Sequence, residues 1–96
     1  MEAPYDIPIL ILVFNRPSKV ETMINALRPL NPQKLYISGD GARSHKEGED
    51  LKVAAVRKVL EKIDWNCEIE TFFRTENLGC RMAVSSGIDW FFEHEK

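Results

Sequence analysis

Three short apolar segments alternate with amphipathic segments along the 96 residues of the chain. Residues 8–14, PILILVF, are apolar at nearly every position, which is typical of a strand covered on both faces. Residues 34–38, KLYIS, predict a second strand that runs into a Gly-Asp-Gly sequence at 39–41. Residues 67–73, CEIETFF, alternate between apolar and polar side chains, which predicts a strand at or near a sheet edge.

Helix signals follow each predicted strand. Ser18 and Glu21 have the spacing of a capping box that would open the first helix, and Pro29 would end it because proline interrupts the hydrogen-bond ladder. Residues 49–63 and 80–93 predict the second and third helices. Each of these helices should therefore pack one apolar face on the sheet.

The two later helices have recognisable apolar faces. The face predicted for the second helix consists of Leu51, Ala55, Val59 and Ile63, widened by Val56 and Leu60. The face predicted for the third helix consists of Val84, Ile88, Phe91 and Phe92. Gly87 slightly weakens the third helix prediction, since glycine has a low helix propensity.

The order of elements is β-α-β-α-β-α, which predicts the α/β class, with one domain over residues 1–96. Right-handed crossovers would give a three-layer α/β/α sandwich around a mainly parallel sheet of strand order 3-2-1. This order places the most apolar strand, 8–14, at an edge. Either a strand from another molecule covers that edge, or the chain is the first part of a longer domain, and we favour the second explanation.

The charge, apolar content and cysteine count of the chain limit the classes of partner that we expect. Thirteen basic and fifteen acidic residues give a net charge of −2, so we expect no nucleic acid partner. No apolar run is long enough to span a bilayer, and the N-terminal residues lack the basic region of a secretory signal. Two cysteines without metal-site spacing suggest free thiols, and we expect a cytoplasmic protein.

Polar and glycine residues follow all three predicted strands. Ligands of open parallel sheets bind outside the carboxyl ends of the strands, here at 14–16, 39–41 and 74–79. The chain has neither a GxxxxGK[ST] sequence nor GxGxxG after the first strand, which excludes the usual nucleotide signatures. No metal-site spacing and no nucleophile–base pair can be argued either, so metal ligands are predicted to be absent and the catalytic residues are unknown.

Three segments carry a family resemblance: FNRPSKVETMINAL, YISGDGAR and RTENLGCRMAVSSGIDWFF. In this order the chain resembles the N-terminal, nucleotide-binding half of nucleotide-diphospho-sugar transferases of the GT-A fold. The similarity is to family 2-like bacterial glycosyltransferases and to N-acetylglucosaminyltransferases, and it covers residues 9–92. It implies a partial GT-A fold, with residues 1–96 as the N-terminal half of such a domain.

The resemblance implies a role for residues after the first two strands. Phe14, Asn15 and Arg16 would lie beside the nucleoside. Asp40 would accept a hydrogen bond from the ring N–H of uracil, and Gly41 would let the base approach the backbone. These roles suit the residue types, because an ionised carboxylate only accepts hydrogen bonds and glycine leaves room. An Asp-Gly sequence is also a common turn, which is the simplest alternative for Asp40.

The resemblance also implies a role for residues after the third strand. Asn77 and Gly79 would shape the turn, and Arg81 would point to the diphosphate, which a guanidinium can bind with two hydrogen bonds. Arg74 could bind substrate or cover the end of the third strand, and the sequence leaves both open.

We therefore expect the nucleotide-sugar binding portion of a glycosyltransferase, with a UDP-sugar as donor and an unknown acceptor. The family uses a divalent cation, Mn²⁺ or Mg²⁺, held by an acidic motif that this chain lacks, so the chain alone should be inactive. The alternative is a non-catalytic α/β interaction module that forms a homodimer through its first strand. A receiver-like signalling domain is disfavoured, because its acidic positions hold other residues here.

Overall fold

A computed structural model describes residues 7–95. The strands are Ile9–Val13 (β1), Lys34–Gly39 (β2) and Glu68–Phe73 (β3), and the helices are Pro17–Leu27 (α1), Glu49–Val59 (α2) and Cys80–His94 (α3). Short 3-10 turns, Arg28–Leu30 and Leu60–Lys62, continue α1 and α2. The start of the chain, which carries the expectation about a secretory signal, lies outside the described residues. None of the described helices has the length and apolar content needed to cross a membrane.

The three strands form one parallel sheet in the order β1-β2-β3, which confirms the predicted strand order. Val13 is in register with Gly39, and Gly39 is in register with Phe73. The carboxyl ends of all three strands therefore meet at the same edge of the sheet. This edge is where an open parallel sheet presents its ligand-binding loops.

Helices cover both faces of the sheet. The buried core on the α1 and α2 face joins the two helices to β1 and β2; it consists of Ile11, Val13, Val20, Ile24, Leu35, Ile37, Val56 and Leu60. On the other face the Tyr36 ring contacts α3, with its centroid 5.3 Å from Trp90 and 5.0 Å from Phe91. The fold is therefore α/β, with a sheet between two helical layers.

The first helix begins earlier than the capping box predicted. α1 starts at Pro17, and its N-cap residue, Arg16, makes no side-chain capping bond. Proline is well suited to the first helical position, because its fixed φ matches the helix and its missing N–H would have no partner there. Ser18 thus lies inside the helix, where its carbonyl accepts from the Thr22 hydroxyl at 3.0 Å.

The apolar face predicted for the second helix is confirmed at Val56, Val59, Leu60 and Ile63, which lie in the core or pack against it, and it is wrong at Leu51 and Ala55, which are exposed. Leu51 is 72% exposed, whereas Val53, Val56 and Leu60 are buried against the core. Steps of four residues advance by slightly more than one turn, so a series with only this spacing drifts around the helix. The residues that face the sheet are spaced by three and then four, which keeps them on one side.

The third helix, α3, packs closely against the sheet at Gly87. Gly87 is buried, and a Cβ at this position would lie 2.7 Å from Ser38 Oγ. Trp90 and Phe91 follow one turn later and pack on Tyr36. Because these residues face the sheet, Ile88 and Phe92 lie on the flank of α3 and are 38% and 64% exposed, which corrects their predicted place on the packed face.

Candidate functional site

A cavity of about 530 Å³ lies at the carboxyl ends of the strands, beside the first turns of α1 and α3. This size is in the range of small-molecule sites. Its apolar wall includes Leu12, Val13 and Phe14 from the end of β1 and Ala83 and Val84 from α3. Its polar lining consists of Asn15, Arg16, Lys19, Ser38, Asp40, Arg43, Arg74 and Asn77.

Most of the site residues expected from the sequence share this cavity. Those that line it are Phe14, Asn15, Arg16, Asp40, Asn77 and Gly79. Gly41 is buried but does not line the cavity, and Arg81 is exposed on the first turn of α3 outside the lining. The cavity thus brings together the ends of β1 and β2 and the loop before α3.

The Asp40 carboxylate holds the loop between β3 and α3. Asp40 is 5% exposed. Its Oδ1 accepts from the backbone N–H groups of Gly41 and Leu78, each at 2.9 Å. Its Oδ2 accepts from Asn77 Nδ2 at 3.1 Å and from the Gly79 N–H at 3.2 Å. Four donors fill the acceptor positions that a carboxylate offers, so this side chain fixes the shape of the loop.

The glycines beside Asp40 make room for the Phe73 side chain at the end of β3 and for the chain that follows it. A Cβ on Gly41 would lie 2.7 Å from the backbone oxygen of Glu76. A Cβ on Gly39 would lie 2.8 Å from Cδ1 of Phe73. Real Cβ atoms do not approach other atoms so closely, so the Gly-Asp-Gly sequence permits the close contact between the end of β2 and the loop that Asp40 binds.

A second carboxylate, Glu49 at the start of α2, orders the other side of the cavity. Arg43 donates to it from Nε at 2.8 Å, from Nη2 at 2.6 Å and from its backbone N–H at 2.9 Å. Asn15 Nδ2 donates to the same carboxylate at 3.1 Å. The hydrogen bonds from Arg43 lower the pKa of Glu49 to about 2. Glu49 therefore orients two residues that line the cavity.

Arg74 is the most buried basic residue of the cavity, at 8% exposed. Its Nη1 donates to Ser38 Oγ at 3.0 Å and to the Gly39 carbonyl at 3.1 Å, and its Nη2 donates to Ser86 Oγ at 2.7 Å. Its Cζ lies 4.2 Å from the centre of the Phe72 ring. Each of these partners is uncharged.

The cavity lining carries more positive than negative charge, although the chain is slightly acidic. Four basic residues line it, namely Arg16, Lys19, Arg43 and Arg74, against one acidic residue, Asp40. Glu49 is paired with Arg43 and offsets its charge, so the excess of positive charge comes from Arg16, Lys19 and Arg74. An excess of positive charge in a concave site attracts anionic ligands.

The resemblance to GT-A transferases implies a divalent cation, and the described residues do not suit one. Within 7–95, no three His, Cys, Asp or Glu side chains are grouped where they could hold a metal ion. The two acids nearest the cavity, Asp40 and Glu49, are occupied by donors from the protein itself.

Sequence reasoning missed several residues that build the site. Arg43 is the last residue of the segment YISGDGAR, and Lys19 lies in the first turn of α1; both line the cavity. Glu49 entered the sequence prediction only as the first residue of the second helix. The position of Arg43 after the Gly-Asp-Gly sequence could have indicated it as a rim residue, but nothing local pairs it with Glu49.

The functional interpretation depends on the geometry of the cavity and on the three segments that resemble GT-A transferases. Comparisons of the chain with models of protein families, with curated proteins and with solved structures find no match.

Proposed function

We propose that the cavity binds the nucleoside diphosphate part of a nucleotide sugar, with a UDP-sugar as the donor of a glycosyltransferase. The observation that carries the proposal is the excess of basic residues in a cavity at the carboxyl ends of three parallel strands. A diphosphate supplies the negative charge that this lining lacks. The apolar part of the lining suits an uncharged base and ribose.

The residues after β1 would bind the nucleoside. Phe14 offers an aromatic surface, held near the Arg43 guanidinium at 5.8 Å between ring centre and Cζ. Asn15 uses its Nδ2 to reach Glu49, which orients its side-chain oxygen as an acceptor for a ring N–H of a pyrimidine. Arg16 and Lys19, both exposed at the start of α1, can turn toward the phosphates.

A direct contact between Asp40 and uracil stays a prediction. Its oxygens already accept four hydrogen bonds from residues 41 and 77–79. A ring N–H would have to replace one of these donors. In the proposal, the main task of Asp40 is to hold the loop that forms one side of the nucleotide site.

A titration of the folded protein with UDP, followed by NMR, tests the proposal. We expect shifts in the backbone amide signals of Asn15, Asp40 and Gly79. Arg16→Gln should weaken UDP binding by about tenfold, because a charge-assisted hydrogen bond is lost while the backbone of the α1 start is retained. Lys58→Gln, an exposed residue of α2 outside the cavity, is the matched control and should leave the affinity unchanged. Absence of any shift at millimolar UDP would contradict the proposal.

A second candidate function is a homodimer formed through β1. In the sheet of residues 7–95, β1 pairs only with β2, and its five residues, ILILV, carry no charge. Leu12 at this edge is 41% exposed. An uncharged edge strand can pair with another strand, here with β1 of a second copy across a two-fold axis.

Light scattering over a range of protein concentrations distinguishes the homodimer from the nucleotide-binding function. A dimer that Leu10→Lys disrupts would support the interaction module. Ile69→Lys is the control, because Ile69 is an apolar residue, 42% exposed, on the opposite edge strand. A monomer at all concentrations would exclude the dimer and would leave the nucleotide proposal intact.

A further inference from the structure

The Arg74 guanidinium has hydrogen-bonding capacity that the protein does not use. A guanidinium carries five N–H donors. Three of them bind Ser38, Gly39 and Ser86. The buried Nε has no acceptor among the described residues. One N–H of Nη2 also lacks an acceptor in residues 7–95, so two of the five donors have no protein partner there.

The charge of Arg74 has no counterion in the described part of the chain. No carboxylate lies within ion-pair distance, since the ion pairs of the structure involve other residues. The nearby acid of the cavity, Asp40, is held by residues 41 and 77–79. Burying an unpaired charge is costly, and contact with the Phe72 ring offsets only part of that cost.

We infer that Arg74 is the receptor for a phosphate oxyanion that enters the cavity. Ser38 supports this role, because it also lines the cavity, its Oγ accepts from Arg74, and its own hydroxyl proton can point to the anion. A planar guanidinium fork matches phosphate oxygens better than a point charge does. The identification of the phosphate as part of a nucleotide rests on the proposed function.

This assignment differs from the one that the family resemblance implies. The resemblance assigns the diphosphate contact to Arg81, which is exposed and outside the cavity lining. Arg74 lies seven residues earlier, directly after β3, and its backbone N–H still continues the sheet by donating to the Gly39 carbonyl at 3.0 Å. The hydrogen bonds to Ser38, Gly39 and Ser86 hold the Arg74 guanidinium in place, whereas Arg81 is exposed.

The first test observes Arg74 itself in the wild-type protein. Arginine Nε–H signals can be followed by NMR, and the burial of this group should slow its exchange with water. We expect inorganic pyrophosphate and UDP to shift the Arg74 Nε–H signal, and uridine to leave it unchanged. Sodium chloride at matched ionic strength controls for general screening.

A pair of arginine substitutions tests the affinity. Arg74→Lys keeps the positive charge but removes the fork, and we expect pyrophosphate to bind about tenfold more weakly. Arg57→Lys is the matched control: Arg57 also lies over an aromatic ring, Phe73, at 4.7 Å, and it donates to the Arg74 carbonyl at 2.9 Å, but it does not line the cavity. If Arg74→Lys does not fold, the shift of the Arg74 Nε–H signal in the wild-type protein tests the inference instead.

Each outcome separates this inference from the proposed function. Suppose that UDP shifts the Asn15 and Asp40 amide signals but leaves the Arg74 Nε–H signal unchanged and binds Arg74→Lys as tightly as wild type. The role of Arg74 is then refuted, and the nucleotide proposal stands. If pyrophosphate shifts the Arg74 signal but UDP does not bind, the oxyanion site is supported and the nucleotide proposal fails. If neither ligand affects Arg74, the inference is overturned.

Discussion

The backbone N–H of Leu78 donates to the Asp40 carboxylate at 2.9 Å, although the two residues are 38 positions apart in the chain. The Asn77 amide and the Gly79 N–H reach the same carboxylate. This one side chain therefore joins the end of β2 to the residues that precede α3. The shape of the cavity depends on that connection, because Asn77 and Gly79 form part of its lining.

Replacing Asp40 by Asn should release this loop. The substitution keeps the size of the side chain but turns one acceptor oxygen into a donor facing N–H groups. We expect the free energy of unfolding to fall by about 1–3 kcal/mol, which is the usual effect of leaving buried donors without acceptors. Urea unfolding measures the loss, and hydrogen exchange should become faster at Leu78 and Gly79.

Asp89→Asn provides the control for this change. Asp89 is exposed on α3, so its replacement should change stability by less than about 0.5 kcal/mol. Equal stability losses in the two variants would mean that Asp40 does not hold the loop.

Gly87→Ala should destabilise the protein, although alanine favours helices. In an exposed helix the change would stabilise by about 1 kcal/mol. Here the new Cβ would lie 2.7 Å from Ser38 Oγ and 3.0 Å from Leu12 Cδ2, so α3 would have to move away from the sheet. We expect a net loss of about 1–3 kcal/mol in thermal or urea unfolding.

The exposed neighbour Ser85 gives the comparison, because Ser85→Ala should be neutral or slightly stabilising. A stabilising effect of Gly87→Ala would show that α3 does not lie this close to Ser38.

The Glu49–Arg43 pair predicts a stability change at acidic pH. The pKa of Glu49 is lowered from its ordinary value of 4.5 to about 2 by the Arg43 hydrogen bonds. A lowered pKa in the folded state means that the stabilisation is complete above about pH 4.5 and disappears as the pH falls toward 2. Glu49→Gln should therefore be less stable than wild type at neutral pH, with a difference that narrows between pH 4.5 and 2.

A double-mutant cycle assigns this pH dependence to the pair. Adding Arg43→Gln to Glu49→Gln should cause little further loss, since the interaction is already removed. A stability difference that stays constant from neutral pH down to pH 2 would be incompatible with the lowered pKa.

The two cysteines allow the nucleotide proposal to be tested by chemical labelling. Cys80 is exposed and lines the cavity, while Cys67 is partly buried, lies outside the cavity lining and has a pKa raised by that burial. UDP at about ten times its dissociation constant should slow alkylation of Cys80 by roughly tenfold and should leave Cys67 unaffected. Mass spectrometry distinguishes the two sites. Unchanged labelling of Cys80 at saturating UDP would place any bound nucleotide elsewhere.

The arrangement of elements could be predicted from the sequence because periodicity is a local property. The continuous apolar run before Phe14 and the alternation in 67–73 led to the observed β1 and β3, and the alternation of strands and helices led to a parallel sheet. The details of the helix faces were not accessible in this way. The burial of Val53 and the exposure of Leu51 depend on how α2 is rotated against the sheet, which is a matter of packing.

Some features of the candidate site could likewise be predicted from the sequence, and others could not. The sequence by itself determined which loops meet at one edge of the sheet, since parallel strands bring their carboxyl ends together, and it thereby identified Asn15, Arg16 and Asp40 as cavity residues. Only the tertiary structure decided that Asp40 binds the loop, that Glu49 orients Arg43, and that Arg74 has unused donors. Such pairings join residues that are distant in the chain. They depend on the directions of the side chains, which local sequence patterns do not specify.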